Sequence, residues 1–208
     1  MNEASDLNKK GARILKTGDL IFSFIGAREN AISDVTKGFR GARVNHIGVL
    51  IDTRQGTFVL EAFPPEVRLT KWEVFSRRSN DLAGQPRIMV GRLHHQYHEL
   101  IDSAIAYGIR QRDIPYDRLY LTDEQSLYCS ELIVDMFRHA NSGEVFFSET
   151  PMSFRDNVTG EIHPTWVQYY AYFGMSVPEG EPGSNPGEIS LDSKIDIIDV
   201  IGDIPGYE

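Results

Sequence analysis

The sequence predicts an α+β fold, and three observations carry that prediction. β-rich runs crowd the first half of the chain, helical spacing takes over after about Leu93, and the strands are not interleaved with helices in a βαβ repeat. No internal repeat or long low-complexity linker interrupts the order.

The elements follow one another in this way. Residues 1–14 are mostly polar and are expected to be loosely held. GDLIFSFI (18–25) reads as a strand introduced by a turn-forming Gly-Asp pair, and RENAISDVTKGF has roughly helical spacing with a glycine stop. RVNHIGVLID and TFVLEAF are β-rich runs separated by TRQG, the pattern of a hairpin. VRLTKWEVF and RIMVGRL are expected to add strands, which completes a sheet by Leu93. In YHELIDSAIAYGIRQ, Leu100, Ile101, Ala104, Ile105 and Ile109 form one apolar helical stripe. A second helix is expected from about Leu127 to Ala140. HPTWVQYYAYFG reads as a short aromatic helix, PEGEPGSNPGEIS as loop, and KIDIIDVIG as a closing strand of alternating polarity.

A chain of 208 residues is long enough for one well-buried core and short for two, so a single domain over 1–208 is the expectation. The 41% hydrophobic and 25% charged content fits a globular chain. A formal charge of -9 argues against nucleic acid as partner, because a phosphate backbone needs a basic surface; cationic or neutral substrates fit better. The N-terminal residues lack the apolar core of a signal peptide, and no run approaches the ~18 to 20 apolar residues of a membrane span. Cytoplasmic residence is therefore the default, with the cell envelope open if a signal was removed. Oligomeric state is not legible. Asn157-Val158-Thr159 matches a glycosylation sequon, with nothing else pointing to a glycosylated protein.

The single cysteine, Cys129, can neither form an internal disulfide nor supply a cysteine-rich zinc site. Leu132, Ile133, Met136, Phe137 and Ala140 recur at helical spacing behind it, which turns Cys129 toward the core side. Taken alone, that favours a small core filler. A place in the first helical turn favours a nucleophile instead, because unpaired N–H groups and the positive dipole end stabilise thiolate. Thr122 with Gln125 as a capping box would put Cys129 in the second turn; Ser126 as N-cap would put it in the first, and this later start is preferred.

Of six histidines, His46 stands apart because it interrupts an apolar strand. In VNHIGVLI, side chains alternate, so Val44, His46, Gly48 and Leu50 share a face, and Gly48 is expected to leave open space there. A hairpin centred between Thr53 and Arg54 sets His46 directly opposite Glu61, within reach of its carboxylate. A one-residue slip would separate them onto opposite faces. His94 and His98 have i, i+4 metal-ligand spacing without further ligands, so a solvated face is preferred and no metal or cofactor is expected. His139 suits a helix C-terminus and His163 a turn. Cys129 as nucleophile, His46 as base and acid, and Glu61 as its orienter form an arrangement the spacing permits, with the Cys129 N–H as oxyanion donor.

TGDLIFSF, NHIGVLID, VLEAF, IPYDRLY and LYCSELIVDMF, in that order, resemble the bacterial YiiX/YaeF-like proteins, a circularly permuted branch of the papain-fold NlpC-type cysteine hydrolases. NPGEISLDSK resembles the family's C-terminal segment. The resemblance implies an antiparallel, barrel-like sheet core packed against helices, with Cys129, His46 and Glu61 catalytic in a permuted order. It implies that Tyr116 of IPYD lines the pocket; Asn45, where the family more often has serine or threonine, and Tyr128 beside the cysteine join it as expected substrate contacts. The implied activity is that of a cysteine amidase or peptidase acting on a small, cell-wall-derived peptide or amide, with an amine group suited to the acidic surface. The alternatives are a lipid-directed thioesterase or acyltransferase, marked by an acyl-sized apolar tunnel, and a non-catalytic binding module that keeps the cleft.

Overall fold

The computed structural model describes residues 15–26, 31–122, 125–156 and 159–208. The expected loose order of residues 1–14 lies outside these residues, as do Asn157 and Val158 of the sequon.

An antiparallel sheet of six strands forms the centre of this α+β molecule. Its members are β1 (Leu20–Ser23), β2 (His46–Thr53), β3 (Gly56–Phe63), β4 (Glu66–Lys71), β5 (Ile88–Leu93) and β8 (Ile195–Ile201), in the spatial order β4-β3-β2-β1-β5-β8. A small ladder pairs β6 (Thr150–Pro151) with β7 (Pro182–Gly183). The helices are α1 (Ala31–Val35), α2 (Trp72–Arg78), α3 (Ile101–Arg110), α4 (Cys129–Ala140), α5 (Pro164–Tyr172) and α6 (Pro186–Ser190).

Strand alternation divides the core into two layers. Leu20, Phe22, Ile47, Val49, Leu60, Ala62 and Met89 face α3 and α4, where Ala104, Leu132, Ile133, Met136 and Phe137 meet them. On the other face, Ile21, Leu50, Val59, Ile88 and Val90 close around Phe75 of α2. Strands covered on both faces read as continuous apolar runs, which is why LIF and HIGVLI show so little polar alternation.

Three segments depart from the sequence expectations. β4 stops at Lys71, and WEVF, expected as strand, is helical: the Trp72 ring stacks on Phe75 at 6.2 Å, a neighbour relation that three-residue spacing allows in a helix and denies in a strand. The expected loop PEGEPGSNPGEIS holds β7 and α6, the helix started by Pro186 at its first turn and by Asn185 Oδ1 accepting the Glu188 N–H at 2.9 Å. The β2–β3 hairpin pairs Thr53 with Gly56, so Arg54 and Gln55 form the turn and its centre lies one residue later than expected.

That shift moves the pairing by two residues and leaves its parity intact. Continuing the register from Val49 opposite Leu60 brings Gly48, not His46, level with Glu61. The expected open space above Gly48 is filled: a Cβ there would stand 2.4 Å from Val59 Cγ1, 2.9 Å from the Leu60 carbonyl oxygen and 3.2 Å from Glu61 Cβ. Glycine is therefore required for β2 and β3 to approach this closely. Gly48→Ala is expected to destabilise the protein by about 1 to 3 kcal/mol through overpacking against a stiff valine and a backbone carbonyl, measured as a lowered midpoint of urea unfolding.

Candidate active site

His46 opens β2, and Glu61 lies near the end of β3, so the hairpin brings both to one end of the sheet on the α2 face. Both are buried. From its diagonal position the carboxylate places Oε2 at 2.6 Å from His46 Nε2. Glu61 Oε1 accepts from Thr70 Oγ1 of β4 at 2.5 Å and from Nη2 of Arg78 at the end of α2. Thr70 pairs with Val59, two residues before Glu61, so it stands on the same face. Phe63 and Phe75 hold both partners of the carboxylate: their ring centroids are 5.4 and 5.7 Å from that of His46, and 3.9 and 5.3 Å from the Arg78 guanidinium carbon.

Cys129 arrives from the other layer. Leu127 is held extended, its N–H donating to the Pro115 carbonyl at 3.0 Å and its carbonyl accepting from the Asp117 N–H at 3.1 Å. The helix therefore cannot begin at Thr122 or Ser126, and Tyr128 is the N-cap residue. Cys129 is the first helical residue. The Tyr128 N–H donates to Glu131 Oε2 at 3.3 Å, and the Leu132 N–H closes the first turn onto the Tyr128 carbonyl at 3.1 Å. The N–H groups of Cys129 to Glu131 precede that bond, at the positive end of a 12-residue helix. The Cys129 side chain is 5% exposed, and it belongs at once to the core layer and to the wall of a cavity.

Cys129 lies close enough to His46 to bear on its charge. With Nε2 taken by Glu61, Nδ1 is the ring nitrogen left for a further partner. Burial alone would lower the His46 pKa, but the neighbouring Cys129, then Glu61, outweigh it and raise the value from 6.5 to about 9. Burial likewise pushes the Glu61 carboxyl up, and His46, Arg78 and Thr70 together bring it below the ordinary carboxylate value. An imidazolium is thus held beside the Glu61 carboxylate and the Cys129 sulfur at neutral pH.

The cavity holds about 580 Å³ of empty space including its open mouth, and Tyr116, Asn45 and Tyr128 all line it. Asn45 is occupied by the backbone: its Oδ1 accepts from the Ile25 N–H and its Nδ2 donates to the Ile25 carbonyl, both at 2.9 Å. The Tyr128 hydroxyl accepts from the Ser184 N–H at 3.0 Å. The Tyr116 and Tyr120 rings meet edge to face at 6.4 Å, and burial raises both hydroxyls well above their ordinary pKa. Thr70, Arg78 and Tyr120 have no sequence signal that reasoning on the chain alone could use. The arginine is the second of two adjacent arginines just beyond a segment expected as strand, and Tyr120 reaches the cavity from a loop.

The remaining histidines lie elsewhere. His98 bonds the Leu93 carbonyl through Nε2 at 2.9 Å, and His94 Nε2 is 3.3 Å from Asp196 Oδ1. Among the described residues, no group of three or more His, Cys, Asp or Glu side chains is placed to hold a metal ion, and no helix is long and apolar enough to cross a membrane.

A histidine and an acidic residue on paired strands, with the cysteine following at a helix N-terminus, define a permuted papain-like arrangement. Residues 14–171 match the Peptidase_C92 family, described as permuted papain-like amidase enzymes of the YaeF/YiiX type. The chain belongs to that family. A solved structure, the crystal structure of metalloprotein yiiX from Escherichia coli O157:H7, aligns with a TM-score of 0.71 at 18% identity, covering 89% of this chain and 97% of that one. At such identity the likeness shows the fold. No curated protein matches the chain.

The charged ring stabilises the folded state fully below its unfolded pKa of about 6.5, and that contribution is lost as pH rises through about 9. The His46 ring proton, followed by NMR, is expected to titrate near pH 9 in the wild type. In Cys129→Ala its midpoint is expected to fall, since the cysteine is the largest of the contributions that raise it.

Proposed function

We propose that the protein is a cysteine amidase that cleaves an amide bond of a small molecule or peptide through a covalent acyl-enzyme. The observation that carries this reading is the buried His46, hydrogen-bonded to Glu61 and close enough to Cys129, at the first position of α4, for the cysteine to raise its pKa. His46 and Glu61 are assigned as a positioned acid–base pair and Cys129 as the nucleophile.

In this mechanism the Cys129 thiolate attacks the amide carbonyl carbon and forms the Sγ–C bond. The oxyanion develops beside the Cys129 N–H at the start of α4. His46 Nδ1 gives its proton to the departing nitrogen, the C–N bond breaks, and a neutral amine leaves a thioester on sulfur. Water then donates a proton to His46 as its oxygen bonds to the acyl carbon. The Sγ–C bond breaks, the carboxylic acid departs, and thiolate and imidazolium are restored. Glu61 stays ionised throughout, holding the ring by Nε2 so that Nδ1 points at sulfur, while Arg78 and Thr70 keep that carboxylate charged away from water.

The test uses a panel of N-acyl p-nitroanilides. Wild-type protein is expected to release nitroaniline and, after acid quench, to show an added acyl mass on the peptide containing Cys129. Cys129→Ala is expected to lose at least ~10³-fold in kcat and to show no adduct. Turnover that persists in Cys129→Ala would remove the cysteine from the chemistry.

A further inference from the structure

The cavity wall is notable for its charge. Among the described residues that line it, none carries an acidic or basic side chain. Ile32, Val35, Met152, Phe154 and Trp166 supply apolar and aromatic surface. Polar atoms in the wall are largely used within the protein. Asn45 is spent on the Ile25 backbone, Ser130 Oγ donates to the Ser184 carbonyl at 3.0 Å, and Thr36 Oγ1 donates to the Val44 carbonyl at 3.3 Å. The three tyrosines, Tyr116, Tyr120 and Tyr128, keep their protons because burial raises all of them.

Carboxylates close to the wall are already engaged. Glu179 accepts from the Phe154 N–H at 2.8 Å and pairs with Arg155 Nε at 2.9 Å. Asp117 accepts from the N–H groups of Leu119 and Leu121, both at 2.7 Å. From the described residues of the wall, a cationic group entering the cavity would lose its water and gain no counter-charge beyond the sulfur that His46 already balances, and an anionic group would fare no better.

Position decides which half of a substrate this wall receives. Cys129 lines the cavity and His46 does not. The leaving amine takes its proton on the His46 side of sulfur, so the group that stays bonded to sulfur lies on the cavity side. We propose that the cavity is an acyl pocket for an uncharged, apolar or aromatic acyl group, so that the substrates are amides of such acids. This assignment rests on the cysteine amidase reading. The amine group expected on the substrate from the net charge of the chain would then lie outside the acyl moiety.

The experiment measures alkylation of Cys129 in the intact protein by three 2-chloroacetamides carrying N-benzyl, N-(2-aminoethyl) or N-carboxymethyl groups, each rate divided by that of glutathione with the same reagent. Everything but chloride stays on sulfur, so each substituent probes the acyl side. The benzyl reagent is expected to modify Cys129 about tenfold or more faster than either charged one, with saturation at increasing concentration. Ser153, an exposed residue of the wall, supplies the control. Ser153→Lys is expected to raise the rate of the carboxymethyl reagent relative to the aminoethyl one. Rapid modification that is indifferent to charge, or that favours a charged reagent in the wild type, overturns the acyl-pocket assignment and leaves the nucleophile standing. A thiol inert to all three reagents and to iodoacetamide overturns both.

Discussion

Everything distinctive about this molecule depends on one contact, the 2.6 Å hydrogen bond between His46 and Glu61 inside the protein. Taking an imidazolium and a carboxylate out of water costs several kcal/mol for each ion unless geometry and further hydrogen bonds offset it. The surroundings supply that offset. Thr70 and Arg78 occupy the second carboxylate oxygen, and Phe63 and Phe75 keep both the guanidinium and the ring in place. Four elements, β2, β3, β4 and α2, converge to keep one pair of charges correctly oriented. Their arrangement explains why a short helix follows β4 directly: it returns Arg78 to the carboxylate one strand away.

Topology accounts for the chain order of the site. His46 and Glu61 are neighbours through a tight hairpin, so their relation is local and is decided by turn length. Cys129 comes from a helix 68 residues beyond Glu61, packed on the opposite layer of the sheet, and meets the pair only at the strand end. The extended pairing of Leu127 with Pro115 and Asp117 places the helix start, and with it Cys129. A papain-like geometry is thereby reached with the histidine and acid first and the cysteine last.

Much of this was legible in the residues. The hairpin, the shared face of His46 and Glu61, and the core-facing stripe behind Cys129 all follow from side-chain periodicity. The register was legible only to its parity: nothing in TRQG says whether the turn centres before or after Arg54, and a shift of two residues leaves the face unchanged while moving the partner. Gly48 was read as empty space because a sequence shows a missing side chain but not the neighbour that fills its place, here Val59 and Glu61. Helix α2 was missed because Trp72 and Phe75 are strong strand formers, and only tertiary packing on the second face makes them helical. The cap at Tyr128 escaped because tyrosine has no capping preference; the bridge from Leu127 to Tyr116, eleven residues earlier, imposes it.

The central claim is that Cys129 and His46 act as one coupled thiolate–imidazolium unit. The pH dependence of iodoacetamide alkylation at the single cysteine, in folded wild-type protein and in His46→Ala, tests it most directly. The account predicts fast alkylation that persists well below the ~8.5 pKa of a free thiol and slows at low pH in the variant. A cysteine that reacts slowly in both proteins until they unfold would contradict it, and would make Cys129 a core side chain at the edge of a binding cleft.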